Sequence, residues 1–321
     1  MKILLTTTSF QDTPGPHHEL LAKSGFEVVR ARGPLTEEQV LDLIKTHGGF
    51  DGFLNGDDRI TAKVIDAAGS RLKVIAKYGI GLDSIDVAYA TTKKIAVLFT
   101  PGVNHTTVAE HAIGLMIAMA KDFWIHSSAV KNGKWTRRTG HELMGKTLGV
   151  LGLGRIGQEV VKRANAFGMR CVAFDVYWPE AFAKEYAVER VASADDILKL
   201  ADVVSLHMNL SSDNRGYINK ARLATMKKGA YLINTARGGL VVDADIAEAC
   251  ISGHIAGYGT DVVDEEPMKP GHPFQTIDSI LVTPHVASRT FESVERQAVR
   301  ALTNIVQFLS GGKDFVQANK F

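Results

Sequence analysis

GKTLGVLGLGRIGQEVVKRANAFGMRCVAFD, Gly145 to Asp175, is the stretch on which the reading of the fold turns. The apolar run Thr147 to Leu151 reads as a buried strand. It stops at Gly152-Leu153-Gly154-Arg155-Ile156-Gly157, and a helical pattern follows through Phe167. A second apolar run, Cys171 to Phe174, ends on Asp175. Strand, glycine-rich turn, helix, strand and terminal acid is the order that seats a dinucleotide. Gly152 permits the tight turn, Gly154 lets backbone approach a pyrophosphate, and Gly157 lets helix and strand pack closely. Free N–H groups at the helix start receive the anion. Asp175 stands 18 residues beyond Gly157, near the roughly 20 expected of an acid that bonds the ribose hydroxyls. Val176, Tyr177 and Trp178 follow it, with no cation to meet a 2′-phosphate. NAD is therefore expected rather than NADP.

The 321 residues suffice for two domains of ordinary size. A net charge of +2 without a basic run argues against nucleic acid as a partner. No segment reaches the ~20 apolar residues of a membrane span, and MKILLTTTSF is too short in apolar length for a signal peptide. A cytoplasmic location is expected. Cys171 and Cys250 lie in apolar patterns and read as reduced core residues. His17-His18 and Glu110-His111 lack zinc-ligand spacing, so no metal is expected.

Outward from the central stretch, both flanks alternate strand and helix. Before it, strands are expected at Ile3–Thr7, Glu27–Arg30, Gly52–Leu54, Leu72–Ala76 and Ala96–Phe99, with helices near Thr36–Thr46, Thr61–Ala68 and Ser84–Thr91. After it, strands are expected at Val203–Leu206, Ala230–Asn234, Ile255–Thr260 and Ile280–Val282. Helices fit Ser193–Leu200, Lys220–Thr225, Ala244–Ser252 and Phe291–Leu309. This is an α/β chain with two doubly wound parallel-sheet units. From Asn104 to about Val130 a single long helix is expected. Its apolar residues cover more than one face, which suits burial between domains or a subunit contact.

Three loops at strand ends carry candidate chemistry, since parallel sheets hold ligands at that rim. In Asn234-Thr235-Ala236-Arg237-Gly238-Gly239, Arg237 can offer a bidentate fork to a carboxylate, or face solvent. Asp261-Val262-Val263-Asp264-Glu265-Glu266-Pro267 is acidic, as many solvated loops are. In Thr283-Pro284-His285, the His can donate a proton near physiological pH or serve as a hydrogen-bonded loop residue. Together they suit hydride transfer to a 2-oxo acid. The Arg binds the carboxylate, the His protonates the carbonyl oxygen, and an acid beside the His favours its protonated form and fixes its tautomer.

The ordered blocks Tyr78-Gly79-Ile80-Gly81-Leu82-Asp83, Pro101–His111, Gly152–Gly157, Asn234–Gly239, Asp261–Pro267 and Thr283–His285 resemble the D-isomer-specific 2-hydroxyacid dehydrogenase family over essentially the whole length. The resemblance implies a catalytic triad of Arg237, Glu266 and His285, with Glu266 pairing the His. It implies that the backbone amides of Tyr78-Gly79-Ile80-Gly81 hold the substrate carboxylate with Arg237. Arg155 and Ile156 would contact the pyrophosphate, Asp175 the adenosine ribose, and Thr235, Ala236 and Asp261 the nicotinamide end. The family's fold places the Rossmann-like NAD domain at 100–289, inserted into a flavodoxin-like substrate domain of 1–99 and 290–321, with hinges near Phe99–Gly102 and Arg289. It also implies a homodimer through the helix after Asn104.

Within the family the central block, including Asn132-Gly133-Lys134-Trp135-Thr136-Arg137, is most similar to phosphoglycerate dehydrogenases, and a form without a regulatory domain is expected. Lys77 and Arg137 match positions that bind the distal phosphate in those enzymes. The acidic loop Asn55-Gly56-Asp57-Asp58 departs from them, lacking their Arg and placing two acids near a phosphate. Arg289 is a second departure, suited to a distal anion or to solvent. 3-Phosphoglycerate is the leading substrate, with hydroxypyruvate, glyoxylate or another anionic acid as alternatives. A non-catalytic reading, an NAD-sensing corepressor, is disfavoured by the complete triad.

Overall fold

The computed structural model describes residues 1–321 and divides into two compact units, Met1–Asn104 with Arg289–Phe321, and His105–Ser288. In the first unit the chain runs β1 (Lys2–Leu5), α1 (Thr8–Asp12), α2 (His17–Lys23), β2 (Glu27–Arg30), α3 (Glu37–His47), β3 (Gly52–Asn55), α4 (Ala62–Ala68), β4 (Val74–Lys77), α5 (Val87–Thr92) and β5 (Ala96–Leu98). The second unit follows with α6 (His105–Lys121), α7 (Phe123–Lys131), β6 (Thr147–Leu151), α8 (Arg155–Ala166), β7 (Arg170–Phe174), α9 (Glu180–Glu185) and β8 (Glu189–Arg190). It continues α10 (Ala194–Leu200), β9 (Val203–Leu206), α11 (Lys220–Leu223), β10 (Ala230–Asn234), α12 (Asp243–Ile251), β11 (Ile255–Thr260) and β12 (Ile280–Val282). The chain then returns to the first unit as α13 (Phe291–Leu309).

Both sheets are parallel. The first has the order β2-β1-β3-β4-β5, the second β12-β11-β10-β9-β6-β7-β8. Strands in such sheets are covered on both faces, so they read as continuous apolar runs. Accordingly β3, β4, β6 and β9 are buried at every position. Each order reverses direction once, between β1 and β3 in the first sheet and between β6 and β9 in the second. That switch point opens a crevice at the carboxyl ends of the strands. The glycine-rich loop leaves β6 at the second one.

Helix boundaries follow local chemistry. Thr36 and Gln39 form a capping box at the start of α3, and Thr290 caps α13 by accepting from the Ser293 amide. On α8 the buried residues Val160, Val161 and Ala164 lie on one face, while Glu159 pairs with Lys162 and Arg163 on the other. The short elements α1, α2, α9 and β8 were not expected from the sequence, because pieces of two to seven residues show too little periodicity.

One expectation is corrected. The long helix from Asn104 to Val130 is two helices, broken at Asp122, whose φ of 51° is left-handed and cannot continue an α-helix. The two halves also differ in burial. Nine residues of α6 are buried against α8, β10 and β11 within its own unit, whereas α7 buries none. The apolar surface left exposed therefore lies on α7 and the arm after it: Phe123 is 56% exposed, Val130 51%, Trp135 77% and Met144 74%.

Candidate active site

The glycines of the second unit's switch-point loop have three separate steric reasons. Gly152 has φ +98°, and a Cβ there would lie 2.7 Å from the carbonyl carbon and oxygen of His207. A Cβ on Gly157 would lie 2.1 Å from the Gly152 carbonyl oxygen. A Cβ on Gly154 would meet nothing within 4 Å. Gly152 and Gly157 are thus needed for packing, whereas Gly154 leaves space in front of the first turn of α8, which no side chain caps. Uncapped amides at a helix start beneath open space suit a pyrophosphate. Arg155 is exposed and Ile156 half-buried on that turn.

Asp175 joins the loop to the end of β7. Its Oδ2 accepts from the Leu153 amide at 2.6 Å and its Oδ1 from the Tyr177 amide at 2.8 Å. A carboxylate has about four acceptor positions, so ribose hydroxyls can still donate to it. Its charge, fixed in place, opposes a 2′-phosphate. Directly past the end of β10, Thr235 Oγ1 is buried and has no partner. An orphaned buried hydroxyl at the ligand rim of the sheet is the kind of group a bound cofactor satisfies.

Asn234 builds the Arg237 loop. It is fully buried, its Nδ2 donates to the Arg237 carbonyl at 2.9 Å, and its Oδ1 accepts from the Ala236 amide at 3.0 Å. Arg237 is half-buried and its Nη1 donates to the Ala236 carbonyl at 2.7 Å, which holds the guanidinium at the loop. Gly238 presses on the acidic loop, since a Cβ there would come within 1.9 Å of the Val263 carbonyl carbon.

The acidic loop contributes two carboxylates with different work. Glu266 Oε2 lies 2.7 Å from His285 Nδ1, while Oε1 accepts from the Val263 amide at 3.2 Å. An ionised carboxylate only accepts, so Nδ1 carries the hydrogen of this pair. Asp261 is buried and does not reach outward. Its Oδ1 accepts from Thr283 Oγ1 at 2.5 Å and from the Val286 amide at 2.9 Å, and its Oδ2 from the Ala287 amide at 2.7 Å. His111 Nε2 reaches the same Thr283 hydroxyl at 2.8 Å. The side chain expected at the nicotinamide is here the fastening of the loop that carries His285. That loop needs one, because His285 sits at φ 52°, an unfavourable conformation for a non-glycine residue.

Sequence reasoning passed over His207, which directly follows the buried strand β9. Its Nε2 lies 2.8 Å from Ser205 Oγ, while its Nδ1 is buried without a partner. Burial pushes its pKa down to about 4, so the ring is neutral near pH 7.

In the first unit, Lys77, Tyr78, Gly79 and Ile80 lie at the carboxyl end of β4, and the expected roles are narrowed. The Tyr78 amide already donates to the Asn55 carbonyl at 2.8 Å and the Gly79 amide to Thr100 Oγ1 at 3.0 Å. Those of Ile80 and Gly81 are not so engaged. Lys77 is buried, its ammonium 2.6 Å from both the Gly56 carbonyl and Asp57 Oδ1. Asp58 does not face a ligand either. It is buried and accepts from Thr6 Oγ1, the Leu35 amide and the Gly56 amide, and burial holds its pKa above the usual carboxylate value.

The residues 113–287 match the model of the D-isomer specific 2-hydroxyacid dehydrogenase NAD binding domain. A D-3-phosphoglycerate dehydrogenase of Methanocaldococcus jannaschii is 39% identical over 97% of this chain, which spans 58% of that relative's length. A hydroxypyruvate reductase of Thermotoga maritima is 41% identical over 78% of this chain and 82% of its own. A D-lactate dehydrogenase from Aquifex aeolicus, solved with NAD and lactic acid, superposes with a TM-score of 0.84 at 27% identity, covering 97% of this chain and 96% of its own. A doubly wound sheet with a glycine loop at its switch point is a dinucleotide-binding fold. The chain belongs to the D-isomer-specific 2-hydroxyacid dehydrogenase family, whose matched domain binds NAD.

Proposed function

We propose that this chain is an NAD-dependent 2-hydroxy acid dehydrogenase, equally a 2-oxo acid reductase, with Arg237, Glu266 and His285 as its catalytic groups. The observation that carries the reading is the 2.7 Å pair of His285 Nδ1 and Glu266, at the carboxyl edge of the sheet that holds the glycine loop. NAD supplies the hydride acceptor and donor when bound. Glu266 holds the imidazole in the tautomer whose Nε2 faces outward, and it opposes the charge of the imidazolium. Nε2–H gives its proton to the carbonyl oxygen in reduction and Nε2 takes it back in oxidation. Arg237 offers a planar donor pair to the substrate carboxylate and draws electron density from the neighbouring carbonyl.

The names borne by relatives span phosphoglycerate and hydroxypyruvate. 3-Phosphoglycerate is our first candidate, with hydroxypyruvate and glyoxylate as alternatives. Asp175 selects NAD, and a homodimer is formed through α7. The test is NADH and NADPH oxidation against a panel of 2-oxo acids, with His285→Gln and Arg237→Ala alongside. We expect NADH to be preferred, His285→Gln to lower kcat about 100-fold or more, and Arg237→Ala to raise KM steeply. Near-normal turnover without His285, or a preference for NADPH, rejects the assignment. Tight NADH binding with no turnover of any acid favours the sensor reading.

A further inference from the structure

Within the second unit, the loop that carries His285 is wrapped around one buried acid. Three successive amides donate to Asp261: that of His285 to the backbone carbonyl at 2.9 Å, that of Val286 to Oδ1 at 2.9 Å and that of Ala287 to Oδ2 at 2.7 Å. Asp261 is 1% exposed, so these bonds meet little competition from solvent. The Thr283 hydroxyl gives its single hydrogen to Oδ1 at 2.5 Å. His111 Nε2 stands 2.8 Å from that hydroxyl oxygen, which with its hydrogen already given can only accept. The tautomer of His111 is thereby fixed, with Nε2 bearing a hydrogen and donating it to Thr283. Nε2 is 3.6 Å from Asp261 Oδ1, too far for a direct bond, so the hydroxyl is the link. His111 belongs to α6, where its neighbours Ala109, Ala112 and Ile113 are buried, and α6 packs on β10 and β11. Those two strands lead into the Arg237 loop and Asp261. A helix fixed in the core thus reaches the His285 loop through two hydrogen bonds. What the loop holds is a costly conformation, His285 at φ 52°.

We propose that His111 is a positioning residue for His285, acting through the Thr283 hydroxyl and Asp261, and that its Nε2–H is the group required. Its part in turnover rests on the reductase reading above. Without that donor the Thr283 oxygen is a half-buried acceptor left unpaired, and the hydroxyl is free to turn from Oδ1. Asp261 then loses one of the bonds that orient its carboxylate toward the Val286 and Ala287 amides. The His285 ring shifts against Glu266, its partner at 2.7 Å. Such a displacement costs turnover rather than cofactor affinity.

The experiment uses hydroxypyruvate, its 3-phosphate ester or glyoxylate, whichever the parent chain reduces fastest. It measures kcat, KM and the NADH dissociation constant in His111→Leu, His111→Gln, Thr283→Val and the double variant His111→Leu/Thr283→Val. His111→Leu should lower kcat about 10- to 100-fold and leave KM and NADH affinity within about twofold. His111→Gln, which keeps a donor N–H near the place of Nε2, should recover most of the loss. Once Thr283→Val has removed the link, adding His111→Leu should cost less than about twofold more. Equal losses in His111→Gln and His111→Leu overturn the donor role. Additive losses in the double variant overturn the path through Thr283, and an unchanged kcat in His111→Leu overturns both. If the parent chain reduces none of these acids, the reductase reading fails by itself. The clamp is then read from the side-chain proton–nitrogen correlation signals of His285: a shift in His111→Leu that is absent in His111→Gln upholds it, and identical spectra overturn it.

Discussion

At the residue scale, two histidines in similar positions have different chemistry because of their neighbours. His285 has a carboxylate at 2.7 Å on its Nδ1. His207 has only the Ser205 hydroxyl and a buried, unpartnered nitrogen, and burial depresses its pKa to about 4. In the unfolded chain it titrates near 6.5. Between those values the unfolded state binds a proton that the folded state refuses. The stability is therefore complete above pH ~6.5 and declines as pH falls to about 4, by at most on the order of 3 kcal/mol. His17, depressed by burial in the same direction, adds to the slope. Urea midpoints at pH 7, 6 and 5 should fall in the parent chain and fall less in His207→Gln. Identical slopes in both would show that His207 is not the group responsible.

At the scale of elements, the loop between β6 and α8 separates glycines that shape the protein from a glycine that leaves room for a ligand. Gly152→Ala places a methyl against the His207 carbonyl at φ +98°, so it should unfold several degrees lower even without cofactor. Gly154 has an ordinary φ of −73° and open space where the methyl would go. Gly154→Ala should keep the melting temperature of the free protein within about 1–2 °C and weaken NADH binding about tenfold or more. Thermal melts beside NADH fluorescence titrations read both. Unweakened NADH binding by Gly154→Ala would remove the pyrophosphate from that loop. The same steric logic explains Gly238, which no sequence pattern marks as special beyond its adjacency to Arg237. It is required by the Val263 backbone of a loop some 25 residues away in the chain.

For the whole molecule, the proposed homodimer is tested at the exposed apolar residues of α7 and the segment after it. No helix is long and apolar enough to cross a membrane, so Phe123, Val130, Trp135 and Met144 are not accounted for in that way. Large exposed apolar side chains grouped on one segment mark a protein contact. Light scattering after size exclusion should give twice the chain mass at micromolar concentration, and Phe123→Asp with Trp135→Ser should shift it toward the monomer. A parent chain of single mass, or a variant that stays double, would exclude this surface as the dimer contact.

The sequence by itself determined the alternating α/β order, the nucleotide loop with its terminal acid, and the strand-end loops that carry Arg237, Glu266 and His285. These are legible because buried parallel strands must be apolar runs, and because left-handed or crowded backbone at a ligand rim demands glycine locally. It could not show that Asp122 breaks the long helix, since an aspartate at positive φ has no pattern of its own. Nor could it show which polar groups were already engaged. Asp261 fastens the His285 loop, Asp58 and Lys77 are held inside the first unit, and the Tyr78 and Gly79 amides have partners supplied by Asn55 and Thr100. Hydrogen bonds between residues 20 or more apart in the chain leave no local periodicity. Only the tertiary structure decided which charges are satisfied within each unit.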